Sequence, residues 1–296
     1  MNRTDSYIDS IENLPPAPSV ATELLVLFKN ETGNSERIVE LITYDPSLTV
    51  QVLRRCNSAF FRGREKVADV ASAVARLGFY EIYCIVVSMI SSRTMALAEE
   101  GGAIDAGSLW RHSVISAVAA GTLAKRVGLN EAECFTAGLL HDVGKLIFAS
   151  AEPVIYESIV GHVGSHGAML IEMERSELGM THAAVGARLL ERWGLPVNVQ
   201  KGVRYHHRPA HAPAQFKKIA AAMEVANVVA HQVDSENDLT PTLAPGTMQA
   251  MHVLGLNPEQ FADVIRETES GLKRMEELLN LVKPKTDPHG FPALVS

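Results

Sequence analysis

The sequence predicts an all-α protein, a multi-helix bundle with an N-terminal helical subdomain and a larger helical core. Apolar residues recur at intervals of three and four almost everywhere, whereas the strict alternation typical of strands is scarce. Capping signals separate the apolar segments, as in Asp45-Pro46 and in Asn130 with Glu133. Hydrophobic residues make up 47% and charged residues 21% of the 296 positions, a balance that is typical of a folded globular chain.

The individual helices follow from this periodicity and from the residues that begin and end each segment. Asp69, for example, is placed to cap the start of a helix that Gly78 then closes. We predict helices at residues 17–30, 35–43, 46–57, 69–77, 79–97, 108–127, 131–141, 145–150, 153–163, 167–176, 182–193, 196–207, 214–233, 246–253 and 258–281.

Two interruptions divide the chain into three predicted parts. Residues 99–107 are rich in Gly and Ala and contain few large apolar residues, which favours a hinge. Polar residues and prolines interrupt the helices again at 235–245. We expect an N-terminal helical half at 11–100, a histidine-bearing core at 101–235, and C-terminal helices with a loose tail at 236–296.

Charge and cysteine usage exclude several classes of protein. The formal net charge is -7 and no long run of Lys or Arg occurs, so we expect no nucleic-acid partner. Cys56, Cys84 and Cys134 lack the spacing of a zinc knuckle and indicate reduced thiols.

The first ten residues are polar, and the longest apolar run, at 82–90, is well short of the roughly 20 residues that span a bilayer. We therefore expect a cytoplasmic protein that is not inserted in a membrane.

The dipeptide His141-Asp142 is the strongest local signal of chemistry. It closes the apolar run 135–140, and two ionisable residues at the end of so apolar a helix need partners. Imidazole nitrogen and carboxylate oxygen suit a divalent transition metal such as Fe, Mn, Zn, Co or Ni. Such dipeptides also occur by chance, so the pair alone does not establish a site.

Other histidines fall on neighbouring predicted helices. His112 lies on a segment with a core-facing apolar side, His182 lies in a first helical turn, and His206-His207 close a helix. Each one alone is explained as a half-buried, capping or surface residue. Four further histidines sit in polar, glycine-rich or loop contexts, and we assign them to ordinary structural or surface roles: His162, His166, His211 and His252.

The order of these residues resembles that in the HD superfamily of metal-dependent phosphohydrolases. The sequence around them is similar to that of one branch, the HDOD family of HD-related output domains. The likeness covers roughly residues 11 to 230. It is carried by the segments 14–18, 44–48, 75–78, 138–145, 177–179 and 191–196, and by Leu53 with the segment 56–58.

The resemblance implies a metal centre. In HD enzymes the first histidine, the His-Asp pair and a later aspartate hold one ion, and additional histidines hold a second. Carried over to this chain, the ligands are His112, His141, Asp142, His182, His206, His207 and the residue at Asn227, with one or two divalent ions. Asp142 and Lys145 are then the candidate catalytic residues, and Lys145 is the candidate phosphate contact. The ordinary explanation of Lys145 is a solvated lysine at the start of a helix.

Two departures count against catalysis. Asn227 stands where the HD enzymes have an aspartate, and an amide brings neither negative charge nor a basic carboxylate. Glu224 and His231 share a helical face with Asn227, so either is a candidate substitute. The segment after His206-His207 also lacks the Gly-Tyr-Pro of related enzymes that cleave cyclic di-GMP, so we do not expect that activity.

Three functions remain in view. The resemblance favours a signal-transduction output or adaptor protein that contacts a signalling partner and is non-catalytic. The alternative is a metal-dependent phosphohydrolase acting on a nucleotide or another phosphoester, and the third is a helical bundle whose histidines are only structural. We also expect the N-terminal half to form a helical bundle that packs on the histidine half through a core of Leu24, Leu27, Val39, Leu48, Val52 and Leu53. The groove between the halves is then the place where a partner or ligand could shift one half against the other.

Overall fold

The computed structural model describes residues 7, 9, 23–24, 27, 35–43, 46–57, 67–96, 104–163, 167–234 and 243–279. Across these residues every regular element is a helix, so the predicted all-α class is confirmed. The predicted helix at 17–30 and the predicted tail after Pro284 lie mostly or wholly outside the described residues. So do residues 97–103 and 235–242, and the predicted division into three parts stays a prediction.

The N-terminal part contains α1 (Ser35–Thr43), α2 (Pro46–Cys56), α3 (Val70–Leu77) and α4 (Phe79–Ala96). As predicted, the carboxylate of Asp69 caps α3 by accepting a hydrogen bond from the Ser72 amide at 2.7 Å. Gly78 ends the helix at a φ of 85°, a conformation that favours glycine. The six predicted core residues of this half are buried in the main hydrophobic cluster or pack against it: Leu24, Leu27, Val39, Leu48, Val52 and Leu53.

The histidine-bearing core surrounds the long helix α5 (Ala106–Val127). Next in the chain come α6 (Glu131–Leu140), α7 (Val143–Ala151), α8 (Pro153–Val163) and α9 (Gly167–Met173). They are followed by α10 (His182–Arg192), α11 (Val197–Tyr205) and α12 (Lys217–Asp234). Because α5 packs against α6, α12 and the C-terminal helix, residues far apart in the chain meet around it. The C-terminal elements are α13 (Pro245–Leu254) and α14 (Pro258–Leu279).

Several helix ends differ from the predicted ones. The helix α5 begins earlier than predicted, because Asp105 caps it. The predicted helix at 167–176 ends as an α-helix at Met173 and continues as a π-helical turn, Glu174–Leu178. The predicted helix at 214–233 starts with a 3-10 turn, Ala214–Phe216, and becomes α-helical at Lys217. Glu174, the first residue of the π-helical turn, has a buried acidic side chain.

Cys56, Cys84 and Cys134 are buried free thiols. Within the described part of the chain, no single helix has both the length and the apolar character needed to cross a membrane. The pair Val70–Leu77 and Phe79–Met89, bent by 115°, meets these two criteria only when the helices are taken together.

Glycines allow α7 and α10 to approach closely. A Cβ atom on Gly144 would overlap the carbonyl oxygen of His182, and a Cβ on Gly186 would lie 3.1 Å from the amide nitrogen of Gly144. Backbone atoms cannot rotate away as a flexible side chain can. The contact therefore fixes the position of His182 relative to the start of α7.

We expect Gly144→Ala to lower the free energy of unfolding by about 2–3 kcal/mol, because the added methyl group forces the two helices apart. Gly161→Ala is the matched control, since a Cβ at this helical position meets no atom within 4 Å. The control should raise stability by about 0.5–1 kcal/mol through helix propensity. Urea denaturation measures both changes, and equal stabilities for the two variants would contradict the proposed close contact.

Candidate metal centre

The residues predicted for a metal site converge from separate helices. His112 comes from the middle of α5, His141 and Asp142 from the junction of α6 and α7, and His182 from the first turn of α10. His206 and His207 follow α11. The relative exposure of His112, His141, Asp142, His182 and His206 is 9% or less, and His207 is half-buried.

The junction of α6 and α7 turns Asp142 toward the interior. Asp142 occupies the position before the first residue of α7, where an Asp commonly accepts a hydrogen bond from the helix amides. Its side chain makes no such capping bond, and the residue is only 2% exposed. The carboxylate is therefore available to the histidines.

The two carboxylate oxygens of Asp142 contact different groups. Oδ1 lies 3.1 Å from Nε2 of His182 and 3.9 Å from Nε2 of His206. Oδ2 lies 3.3 Å from Nε2 of His141 and 4.0 Å from Nε2 of His112. The ammonium group of Lys145 also contacts Oδ2, at 2.6 Å. Asp142 thus joins two groups of side chains.

Hydrogen bonds at the opposite ring nitrogen orient three of the imidazoles. Nδ1 of His141 donates to the Gly138 carbonyl and Nδ1 of His206 donates to the Val203 carbonyl, each at 2.7 Å. Nδ1 of His182 donates to the carboxylate of Glu174 at 2.8 Å. We assign the Nδ1 proton of each ring from these acceptors, which directs Nε2 toward Asp142 and leaves a free lone pair on that nitrogen whenever the ring is neutral.

This arrangement fits a divalent metal ion. The cluster contains two sets of donor atoms, and within each set all the atoms lie within 4.8 Å of one another. One set is Asp142 with His182, His206 and His207, and the other is Asp142 with His112 and His141. Nε2 of His206 is buried without a hydrogen-bond partner, which is costly unless another group satisfies it. Imidazole nitrogens with one carboxylate suit Fe, Mn, Zn, Co or Ni, the metals predicted from the sequence.

Glu174 is the functional candidate that the sequence did not reveal. Its side chain is fully buried, and its oxygens accept hydrogen bonds from Nδ1 and the backbone amide of His182. The Tyr156 hydroxyl donates to the same carboxylate at 3.0 Å. A carboxylate behind a ligand histidine fixes the ring and raises its basicity, as is common in metal sites.

Burial and charge set the protonation of the histidines. Burial lowers the pKa of His112 to about 3, with a further decrease from His141. Burial likewise holds the pKa of His206 and His207 well below the usual value, so both are neutral at pH 7. Burial alone would lower the pKa of His182, but the carboxylates of Glu174 and Asp142 outweigh it and raise that pKa to about 9.

Asp142 carries the negative charge of the cluster. Burial alone would raise its pKa, but the neighbouring His141 and Lys145 hold it well below its usual range. The cluster therefore combines an ionised carboxylate with several neutral imidazoles, which is the protonation state that metal ligands need. His182 would have to lose its second ring proton in order to hold a metal ion through Nε2.

The remaining sequence candidates separate into two groups. Asn227 does reach the cluster, because its Oδ1 lies 2.9 Å from Nε2 of His112. The ring of His231 packs against that of His112 with 4.5 Å between centroids, but His231 belongs to neither donor set. Glu224 accepts a hydrogen bond from Thr247 instead. His162, His211 and His252 are exposed, as expected, and His166 lies outside the described residues.

Comparisons with known proteins point to one family. The model of the HDOD domain matches residues 14–209. An uncharacterized protein from Treponema pallidum (strain Nichols) is 28% identical over 238 residues, which are 78% of this chain and 45% of that protein. Ribonuclease Y from Thermus thermophilus is 29% identical over 114 residues, 38% of this chain and 15% of the enzyme. The chain thus spans less than half the length of these curated relatives.

Solved structures share the fold along nearly the whole chain. A provisionally assigned phosphohydrolase from Shewanella amazonensis SB2B aligns with a TM-score of 0.70 and 25% identity, covering 94% of this chain and 98% of that one. A provisionally assigned signal transduction protein from Marinobacter aquaeolei VT8 aligns with a TM-score of 0.72 and 22% identity, covering 94% of this chain and 67% of that one. An HDOD domain protein of unknown function from Geobacter sulfurreducens aligns with a TM-score of 0.65 and 20% identity, covering 94% of each chain.

Proposed function

Because this chain belongs to the HDOD family, we propose that it is a signal-transduction output or adaptor protein that acts through contact with a signalling partner. In this proposal the buried histidine and aspartate cluster binds a divalent transition metal that stabilises the helical core and is not used for hydrolysis. The net charge of -7 supports a protein partner over a nucleic acid.

The contact between Asn227 and His112 is the observation that carries the non-catalytic part of the proposal. The amide oxygen lies at 2.9 Å from the ring nitrogen, at the position where HD enzymes place a carboxylate. A neutral amide adds no charge to the site, so it weakens both metal binding and the activation of a metal-bound water. Burial also supports a non-catalytic role, because five of the ligand candidates are 9% exposed or less and a substrate would have little access to them.

A metal ion at this position would have a clear structural effect. Its candidate ligands come from α5, the α6–α7 junction, α10 and the end of α11, which are separated by up to about 95 residues in sequence (112 to 207). An ion bound by Asp142, His182, His206 and His207 would cross-link the α6–α7 junction, α10 and the end of α11, and its binding free energy would add to the stability of the fold.

The alternative function is a metal-dependent phosphohydrolase acting on a nucleotide or another phosphoester. It is favoured by the number of metal donors retained in the cluster and by the 25% identity with the Shewanella amazonensis protein. The match to Ribonuclease Y makes an RNA phosphodiester one substrate to test. The ion pair of Lys145 with Asp142 counts against this alternative, because it occupies the ammonium group proposed as a phosphate contact.

We expect Asn227→Asp to leave phosphoesterase activity within about tenfold of the wild-type background, because the buried site gives a substrate little access. The assay uses protein loaded with Mn²⁺ or Fe²⁺ and three probes: p-nitrophenyl phosphate, its diester, and a short oligoribonucleotide. Asn130→Asp is the matched control, because it makes the same change at an exposed helix cap where both residues cap well. A gain of about 100-fold in Asn227→Asp alone would instead identify a decayed enzyme.

A further inference from the structure

The cluster has two sides, defined by the two oxygens of Asp142. The Oδ1 side contains His182, His206 and His207, and the Oδ2 side contains His112, His141, Asn227 and Lys145. The sides differ in chemistry: the Oδ1 side has three imidazoles, whereas the Oδ2 side has two imidazoles, a neutral amide and the ammonium group of Lys145. This difference bears on how many ions the chain holds and where they bind.

The Oδ1 side is built to hold an ion. Three imidazoles and one carboxylate oxygen supply four donors, the number that a tetrahedral transition-metal site requires. Nε2 of His207 lies 3.1 Å from Nε2 of His182, and Nε2 of His206 has no hydrogen-bond partner. The rings of His182 and His206 are held from behind by Glu174 and by the Val203 carbonyl. Such outer contacts preorganise metal ligands.

The Oδ2 side already contains a positive charge. The ammonium group of Lys145 contacts Oδ2 of Asp142 at 2.6 Å, beside the ring nitrogens of His141 and His112. The fourth group, Asn227, is neutral. A second divalent ion at this side would therefore be repelled by Lys145 and would compete with it for the same carboxylate oxygen.

We propose that this chain binds one divalent transition-metal ion, on the Oδ1 side, and that the Lys145 ammonium group takes the place of a second ion on the Oδ2 side. This rests on the proposed function in one respect, namely that the cluster holds a metal. In this inference the charge of Lys145 limits the site to one ion, whereas the resemblance suggests that Lys145 contacts a phosphate.

The test is a Co²⁺ titration of the purified full chain, followed by plasma mass spectrometry after dialysis and by the visible absorption of the bound Co²⁺. We expect one ion in the wild-type protein, one in His112→Ala and none in His182→Ala. Lys145→Met keeps most of the side-chain volume and removes the charge. We expect it to take up a second equivalent at a free Co²⁺ concentration where the wild-type protein takes up one. The double variant Lys145→Met with Asn227→Asp should bind that second ion more tightly.

Lys217→Met is the matched control, because Lys217 is an exposed lysine in the first turn of its own helix. It should bind one ion, and circular dichroism should show the same helicity in every variant compared. Two ions in the wild-type protein would overturn the inference. The inference would also be overturned if the wild-type ion were lost in His112→Ala and kept in His182→Ala. A single ion in both Lys145→Met and the double variant would overturn it as well.

The outcomes separate this inference from the proposed function. Phosphoester hydrolysis by the wild-type protein with one bound ion would overturn the adaptor role and leave the one-ion site in place. No ion in any variant would overturn the inference together with the structural metal of the proposed function, and would leave the adaptor role through contact with a partner.

Discussion

Asp142→Asn is expected to abolish stoichiometric metal binding, with affinity reduced by about 100-fold or more. Asp142 belongs to both sets of donor atoms, and its carboxylate is the negative group that each set uses. The amide has nearly the same shape, so the change removes charge and basicity with little effect on packing. Metal content after dialysis, measured by plasma mass spectrometry, and the change in melting temperature on adding Zn²⁺ are the two measurements.

Asp105→Asn is the matched control for this substitution. Asp105 caps α5, the helix that carries His112, and an asparagine caps a helix about as well as an aspartate. The control should keep its metal and its metal-dependent gain in melting temperature. If Asp142→Asn retained one ion per chain with unchanged affinity, the ion would be bound elsewhere and the cluster would not be its site.

The sequence was sufficient to predict the class of fold and the members of the cluster. Helical periodicity depends on local spacing alone, so it located α3, α6 and α10 to within a few residues. The dipeptide His141-Asp142 stood out because it closes an apolar helix, and burial of both residues follows from that position. Resemblance, and not spacing, connected this pair with histidines up to 66 residues further along the chain (141 to 207).

Other features depend on three-dimensional packing that a local pattern does not contain. The spacing of Glu224 and Asn227 placed both on one face of α12, but Thr247 of α13 binds Glu224 and only Asn227 reaches His112. The pairing of Lys145 with Asp142 has the i,i+3 spacing of a helical ion pair, and that spacing is the signal that could have revealed it.

Glu174 was missed, because it lies in the segment Glu174–Leu178, which contains two glutamates and one arginine and resembles a solvated surface. Glu174, the first residue of the π-helical turn, lies three residues after the buried Ile171 and four before the buried Leu178. It therefore falls on the inner face of the helix, while Glu177 stays exposed. Single-turn π-helical segments frequently occur at functional sites. A buried carboxylate therefore supports His182 from a segment that appears polar.

Glu174→Ala is expected to lower the free energy of unfolding by about 3–5 kcal/mol, because it removes the carboxylate that pairs with Nδ1 of the buried His182 and leaves that N–H without an acceptor. Glu174→Gln keeps the side-chain volume but presents an amide to two N–H donors of His182. We expect this milder change to reduce metal affinity by about 10–100-fold. Urea denaturation of the metal-free protein gives the first effect, and Co²⁺ titration gives the second.

Two further variants isolate the role of the carboxylate. Glu177→Gln makes the same change at an exposed position of the same turn and should alter neither stability nor affinity by a measurable amount. Tyr156→Phe removes one hydrogen bond to Glu174 and leaves the contact with His182, so it should cost about 1 kcal/mol. If Glu174→Gln bound metal as tightly as Glu177→Gln, the carboxylate would be needed for folding alone. A loss of affinity confined to Glu174→Gln requires that the orientation and basicity of His182, set from behind the ring, control the metal centre.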